Sequence, residues 1–299
     1  MIEIKNLTKK FGEFTALENL SLTVEKGSIY GLVGYNGAGK TTLLKTICGI
    51  YIPDEGEVKI GGADTFRNAK ARQKLFFVPD DIYFEPYSTM NKMAKFYAGY
   101  YPGFDFEMLD KLCKVFSLDK NAKLNAFSKG MQRQAEMILG MSTNPEYLLL
   151  DESFDGLDPA KRNVMNSMII DYTAQKEACV IISSHNLHEV TDICDHVALM
   201  DGKSIALDCN VDEISNNRCK FRLVFEDEKT QDDFGSFEIK KFKKDGKMII
   251  LSLKGNEDEN EAKLRAMNPL LIEKFPLTLE EIFLEEMEGS DYDFTEIFS

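Results

Sequence analysis

The chain has 299 residues, 43% hydrophobic and 29% charged, a balance that supports a sizeable core and excludes a disordered polypeptide. A net charge of −14 weighs against nucleic acid as a partner, because gripping phosphate backbones takes concentrated Lys and Arg. The six cysteines form no C-x-x-C pair, which argues against a zinc site or a secreted disulfide framework and for buried thiols in a reducing compartment.

Short apolar pieces at Ile2 to Leu7, Thr15 to Val24 and Ser28 to Val33 predict strands. A glycine-rich turn follows, then a helix start at Thr41 to Ile47. Further strands are predicted at Lys74 to Val78, Tyr147 to Leu150, Cys179 to Ser183 and Val197 to Met200, with a helical stretch from Thr89 to Met141. Alternating strands and helices predict a mostly parallel sheet covered on both faces. Beyond residue 210 the strand and helix signals run βαββαβ, a ferredoxin-like pattern: Phe221 to Phe225, Lys229 to Phe234, Ser236 to Phe242, Met248 to Leu253, Glu259 to Met267 and Leu270 to Phe275. An acidic tail closes the chain at Glu280, Glu281, Glu285, Glu286, Glu288, Asp291, Asp293 and Glu296, read as a solvated charge run. No uncharged apolar run approaches the roughly 18 residues of a membrane span, and Met1 to Lys5 opens no signal-peptide core. Any membrane service is therefore expected through a separate polypeptide.

Gly34-Tyr35-Asn36-Gly37-Ala38-Gly39-Lys40-Thr41 matches G-x-x-x-x-G-K-[ST]. Glycines at that spacing let backbone N–H groups converge on phosphate oxygens, and the following helix N-terminus adds about half a positive charge. Lys40 then reaches the β- and γ-phosphates, and the Thr41 hydroxyl ligates Mg²⁺. Downstream, Tyr147-Leu148-Leu149-Leu150 runs into Asp151-Glu152. A carboxylate at the end of a buried parallel strand stands where ligands collect. Asp151 is read as holding the Mg²⁺ shell and Glu152 as the base that activates water.

With these motifs in place, residues 3 to 208 resemble the nucleotide-binding subunits of ABC transporters. Ser128-Lys129-Gly130-Met131-Gln132 is similar to the family's signature motif, in the form many exporters carry. Asp155-Gly156-Leu157-Asp158-Pro159 is similar to its D-loop and Ser183-Ser184-His185 to its switch-histidine segment. Phe11 stands where an aromatic stacks on adenine. The resemblance implies a P-loop NTPase of ABC type over 1–210: a mostly parallel sheet, an antiparallel β subdomain and a helical subdomain at about 85–142. A small α+β domain with the acidic tail follows at 211–299. It implies nucleotide contacts at Phe11, Gly34, Asn36, Gly37, Ala38, Gly39, Lys40, Thr41, Thr42, Ser128, Gly130 and Asp158. Catalysis falls to Glu152 and His185, and metal binding to Thr41, Asp80 and Asp151. The implied cofactors are ATP and Mg²⁺. The implied partners are a transmembrane permease subunit and a second ATPase subunit, identical or paralogous, at the cytoplasmic face of the membrane.

Two positions depart from the family pattern. Asp80 stands where a glutamine usually touches Mg²⁺, and Ser153 stands where proline commonly follows the glutamate. The first adds a metal-binding carboxylate but also negative charge beside ATP. It leaves open a non-catalytic, nucleotide-gated module as an alternative. A further alternative is an ABC ATPase acting on ribosomes, DNA or cofactor assembly, but the chain lacks the tandem modules or long coiled coils of such relatives. The arm's aromatics, among them Tyr83, Phe84, Tyr87, Phe96, Tyr97, Tyr100 and Tyr101, are divided between helical core and a surface for the membrane partner. Leu277 to Phe283 resembles the C-terminal helix of drug- and antibiotic-exporter ATPases.

Overall fold

The computed structural model describes residues 1–211, 217–278, 281, 282 and 285. The chain forms two compact units, Met1–Asp208 and Cys209–Phe298.

In the first unit, β1 (Ile2–Phe11), β2 (Phe14–Val24), β4 (Glu55–Ile60) and β5 (Ala63–Asp64) make an antiparallel sheet in the order β2-β1-β4-β5. A second sheet contains β3 (Ile29–Val33), β6 (Leu75–Val78), β7 (Tyr147–Asp151), β8 (Cys179–Ser184), β9 (His196–Asp201) and β10 (Ser204–Asn210). Its order is β10-β9-β3-β8-β7-β6, with β3 parallel to β8 and β9, and β7 parallel to β6 and β8. Every residue of β3, β7 and β8 is buried. Both sheet faces are covered, so these strands read as unbroken apolar runs.

Helix α1 (Lys40–Ile47) buries Leu43, Leu44 and Ile47. These join Ile4, Leu22, Leu149 and Ile181 in a core shared by both sheets. Each such side chain contributes roughly 1.5–3 kcal/mol, so the phosphate loop ahead of α1 is anchored at its back. The helical stretch from Thr89 to Met141 resolves into α3 (Met90–Tyr100), α4 (Phe106–Val115) and α5 (Lys129–Ser142), after a short α2 (Ala69–Arg72). Thr89, Asp105 and Ser128 each accept a hydrogen bond from the backbone N–H three residues on, the N-cap device that starts these helices. From Arg133 to Ser142 every residue of α5 is buried, so only its first turn faces outward. Helices α6 (Pro159–Lys176) and α7 (Leu187–Thr191) complete the unit.

Of the arm's aromatics, Phe84 is buried, and Tyr97 and Tyr101 pack on Phe76 with centroids 5.3 and 5.8 Å away. Tyr83, Tyr87, Phe96 and Tyr100 are exposed. Among the cysteines, 48, 113, 179, 194 and 219 are buried and Cys209 is intermediate; all are free thiols.

In the second unit, β11 (Arg218–Val224), β12 (Glu238–Asp245), β13 (Met248–Lys254) and β14 (Leu271–Phe275) form an antiparallel sheet in the order β12-β13-β11-β14, with α8 (Glu257–Ala266) before the last strand. This is the ferredoxin-like strand order. The helix expected at Lys229 to Phe234 is one 3₁₀ turn, Gln231–Phe234, opened by a Thr230–Asp233 capping box and followed by Gly235. Phe221, Leu223, Phe234, Ile249, Leu251 and Leu264 make its core. Of the acidic tail, Glu281 and Glu285 are described, and the other carboxylates lie outside the described residues, as do Leu279 and Phe283. Glu285 is buried, which corrects the solvated reading at that position. The reason is tertiary: its carboxylate accepts a hydrogen bond from the Ser252 hydroxyl of β13 at 2.7 Å.

Candidate nucleotide site

Strand β3 delivers the chain into the loop at Gly34 and α1 takes it away at Lys40. A Cβ on Gly34 would stand 2.7 Å from the Met200 carbonyl. Gly39 lies at φ +103°, and a Cβ there would come within 2.9 Å of the Ala16 carbonyl. Only glycine lets the loop turn this tightly against its surroundings. Asn36 and Gly37 at the crest are exposed, Ala38 is buried, and Thr41 and Thr42 are half-buried in the first turn of α1.

The Lys40 side chain is 5% exposed. It donates to the Gly34 carbonyl at 2.5 Å and the Tyr35 carbonyl at 3.3 Å, and it pairs with Glu152 Oε1 at 3.1 Å. The other Glu152 oxygen accepts from the His185 backbone N–H at 3.2 Å and lies 2.9 Å from His185 Nδ1. Glu152 itself adopts φ +46°, a conformation that costs a non-glycine residue on the order of 1–3 kcal/mol and clusters at functional sites. Its backbone N–H reaches the Ser183 carbonyl and hydroxyl at 3.1 and 3.2 Å. Strands β7 and β8 thus end side by side, and together with the end of β3 they assemble the site at one sheet edge.

Asp151 accepts from the Ser183 hydroxyl at 2.6 Å through Oδ1. Its Oδ2 is buried and has no hydrogen-bond partner among the described residues. Burial raises the Asp151 pKa, against the opposing pull of the Ser183 and Thr41 hydroxyls. A buried carboxylate oxygen without a partner, beside a threonine hydroxyl, is the donor set a hard divalent cation takes. For His185, burial disfavours the charged ring, but the hydrogen bond and charge of Glu152 prevail and the pKa is raised. Asp155 completes a cluster with Glu152 and His185 in which the ligand atoms lie within 4.8 Å of one another.

Asp80 has a partner other than the expected metal site. Its Oδ1 accepts from Arg133 Nη2 at 3.1 Å, while Nη1 of the same guanidinium reaches the Pro79 and Asp80 carbonyls, each at 2.9 Å. The physical reason is that Arg133, only 7% exposed, needs acceptors, and the loop after β6 supplies them. Ser128 is exposed and caps α5. A Cβ on Gly130 would meet the Gly156 carbonyl at 2.9 Å, so the first turn of α5 touches the loop ahead of α6. Asp158 is the N-cap of α6, accepting from Lys161 N–H at 3.0 Å. Phe11 is 44% exposed at the end of β1 with its ring edge on Tyr51. Ser153 is fully buried. His196 stacks on Tyr30, and His188 is exposed. Ser183 and Arg133 went unnoticed as site residues, although each stands inside or next to a motif segment.

A strand–loop–helix with buried Lys40, facing Asp151 and Glu152 at the end of the neighbouring strand pair, defines a P-loop nucleotide-hydrolysing site. The family model for ABC transporters matches residues 17–155. Over 289 residues the chain is 27% identical to the ABC transporter ATP-binding protein YtrB of Bacillus subtilis strain 168, spanning 97% of this chain and 99% of that one. It is 31% identical over 219 residues to the linearmycin resistance ATP-binding protein LnrL of the same organism, covering 71% and 70%. Among solved structures, the dimeric bacterial ABC transporter cassette MJ0796 superposes with a TM-score of 0.64 at 23% identity, over 71% of this chain and 99% of that one. The chain belongs to the ABC transporter ATP-binding proteins, and it is an ATPase. No helix among its described residues is long and apolar enough to cross a membrane.

Proposed function

We propose that two copies of this ATPase, or this chain and a paralogue, sandwich MgATP and drive a separate membrane-spanning subunit at the cytoplasmic face of the membrane, in the direction of export. One observation carries the sandwich: Lys40 and Glu152 lie buried at the sheet edge, whereas Ser128 is exposed on the outward first turn of α5. A helix N-terminus offered at the surface is set up to receive an anion held by another protein. Phe11, Asn36 to Thr42 and Lys40 hold the nucleotide of one subunit, and Ser128, Gly130 and Asp158 of the mate close over it. MJ0796 is described as dimeric, and LnrL as a resistance protein; both support the reading.

Thr41 and Asp151 fit Mg²⁺, which when bound neutralises charge on the phosphates. Glu152 orients and deprotonates the attacking water, taking its proton at a carboxylate oxygen. His185 holds that carboxylate through Nδ1 and offers its ring to the γ-phosphate. Asp80 is held by Arg133 at 3.1 Å, so its carboxylate serves the metal shell only after leaving that guanidinium.

The test is the mass of the Glu152→Gln chain by light scattering with and without MgATP. A doubling that requires ATP and is lost in Ser128→Arg supports the sandwich. A monomer at saturating MgATP rules out the homodimer and leaves a paralogue as the mate.

A further inference from the structure

Three consecutive residues at the end of β8 each hold a different acid. Ser183 donates to Asp151 at 2.6 Å, Ser184 donates to Glu189 Oε2 at 2.7 Å, and His185 Nδ1 lies 2.9 Å from Glu152. Asp151 and Glu152 belong to the nucleotide site. Glu189 stands apart from it, in α7, only 7% exposed, with Ser184 fully buried beside it. Its other oxygen, Oε1, pairs with Arg162 Nη2 of α6 at 3.0 Å. A carboxylate withdrawn from water is costly unless paired, and a buried pair is weak support for a fold, because apolar side chains of the same volume often serve as well. What the pair contributes is the geometry it fixes.

That geometry brackets His185. The Ser184 hydroxyl donates to Glu189 and also accepts from the Asn186 backbone N–H at 3.0 Å, so one oxygen, using its donor and an acceptor site together, ties the chain on both sides of residue 185. The Ser184 carbonyl accepts from the Gly34 N–H at 3.3 Å, which fastens the same residue to the start of the phosphate loop. Asn186 then caps α7, accepting from the His188 N–H at 2.9 Å. Only His185 and Asn186 lie between β8 and α7. The His185 side chain is 39% exposed, so its direction depends on how its backbone is held. Arg162 is itself set in the first turn of α6, its N–H donating to the Asp158 carbonyl at 2.9 Å.

We propose that Glu189 is a positioning residue for ATP hydrolysis, with Arg162 as the cation that holds it: through the Ser184 hydroxyl they fix the backbone around His185, and with it the direction of the ring toward Glu152 and the γ-phosphate. Both residues act through the role proposed above for His185, on which this inference rests. Neither belongs to the motif segments that carry the nucleotide contacts. Loss of either leaves Lys40 and the phosphate loop in place and frees the ring to move. A displacement on the order of 1 Å at a reacting group costs up to about 10²-fold in rate, so the effect falls on turnover and spares binding.

The test follows phosphate release by the full chain over a range of MgATP, in the wild-type and His185→Ala backgrounds. In the wild type, Glu189→Gln and Arg162→Gln are expected to lower kcat by about 10–100-fold with KM for ATP within about twofold. Arg162→Lys, which keeps the charge, should recover most of the rate. In His185→Ala the same substitutions should change kcat by less than about twofold, because a group acting through His185 has nothing left to position. An equal loss in both backgrounds would show that the pair only supports the fold and would overturn the proposal, as would no loss in either. His185→Ala at the wild-type rate would instead remove the role of His185 itself. The chain has three histidines, so the His185 ring resonances are identified by their absence in His185→Ala. They should shift in both Gln variants without ATP, and unchanged resonances would overturn the proposal even if His185→Ala has no measurable turnover. Should Glu189→Gln not fold, the Arg162 chains, altered at a side chain 33% exposed, carry the same test.

Discussion

Lys40 and Glu152 form an ion pair at 3.1 Å with side chains only 5% and 10% exposed. The proposed phosphate-binding cation and the proposed base are therefore partners. On that proposal ATP competes with Glu152 for Lys40, and taking it frees one carboxylate oxygen for water.

Removing the charge of Glu152 is expected to separate binding from chemistry. Glu152→Gln should lower turnover by about 10²–10⁴, the range for losing a general base. ATP affinity should hold or tighten, because Lys40 no longer has a competing anion. Phosphate release and nucleotide titration on the same preparation check both halves. Turnover at the wild-type rate would reassign the base.

Lys40→Ala should weaken nucleotide binding and also destabilise the nucleotide-free protein. Breaking a buried pair from one side costs on the order of 3–5 kcal/mol, here reduced because His185 still faces Glu152. Denaturant melts without nucleotide measure this. An unchanged midpoint would show that the pair contributes nothing to the fold.

The ring of His185 should titrate above its ordinary value while Glu152 is charged. Burial works against that charge, and the hydrogen bond and charge of Glu152 override it. A pKa raised on folding gives stability that is fully present below about pH 6.5, and is lost as pH rises through the higher folded value. NMR titration of the His185 ring should show a lower pKa in Glu152→Gln. An identical midpoint in both proteins would exclude the coupling.

Glu136 lies buried in α5, its carboxyl pushed up to about 7 by burial, with the Tyr97 hydroxyl only partly compensating. Its folded pKa is raised, so the penalty for charging it grows from about pH 4.5 to pH 7. Glu136→Gln should match the wild type in stability near pH 4 and exceed it above neutrality, by at most about 3 kcal/mol. Equal melting profiles across that range would contradict the assignment.

Gly140 of α5 sits against Phe76 of β6, where an added Cβ would lie 2.6 Å from two ring carbons. Gly140→Ala should cost about 1–3 kcal/mol, the usual range for an overpacked core. Calorimetry checks this. A neutral result would mean that the ring moves freely and that the approach of α5 to the sheet is not set here.

Much of this protein is legible along the chain, because the carriers of chemistry are contiguous. Gly34 to Thr41 form a phosphate loop by local backbone geometry, and the apolar run before Asp151-Glu152 marks a strand with two buried faces. The N-caps at Thr89, Asp105 and Ser128 follow from hydroxyl or carboxylate side chains within reach of the next turn. The strands β4, β5 and β10 are not legible in the same way: Glu55–Ile60 opens with Glu-Gly-Glu and buries only Val58 and Ile60, Ala63–Asp64 is two residues, and no residue of Ser204–Asn210 is fully buried. The helix expected at Lys229 to Phe234 keeps its end and loses its first two residues, because Thr230 caps a turn that begins at Gln231.

Partner choice was beyond the sequence. That Glu152 faces both Lys40 and His185, that Asp80 is taken by Arg133, and that Glu285 is buried against Ser252 are outcomes of the fold. A charged or polar group withdrawn from water pairs with whichever compensating group the packed elements bring near. That proximity depends on the order in which strands lie side by side, and spacing along the chain does not encode it.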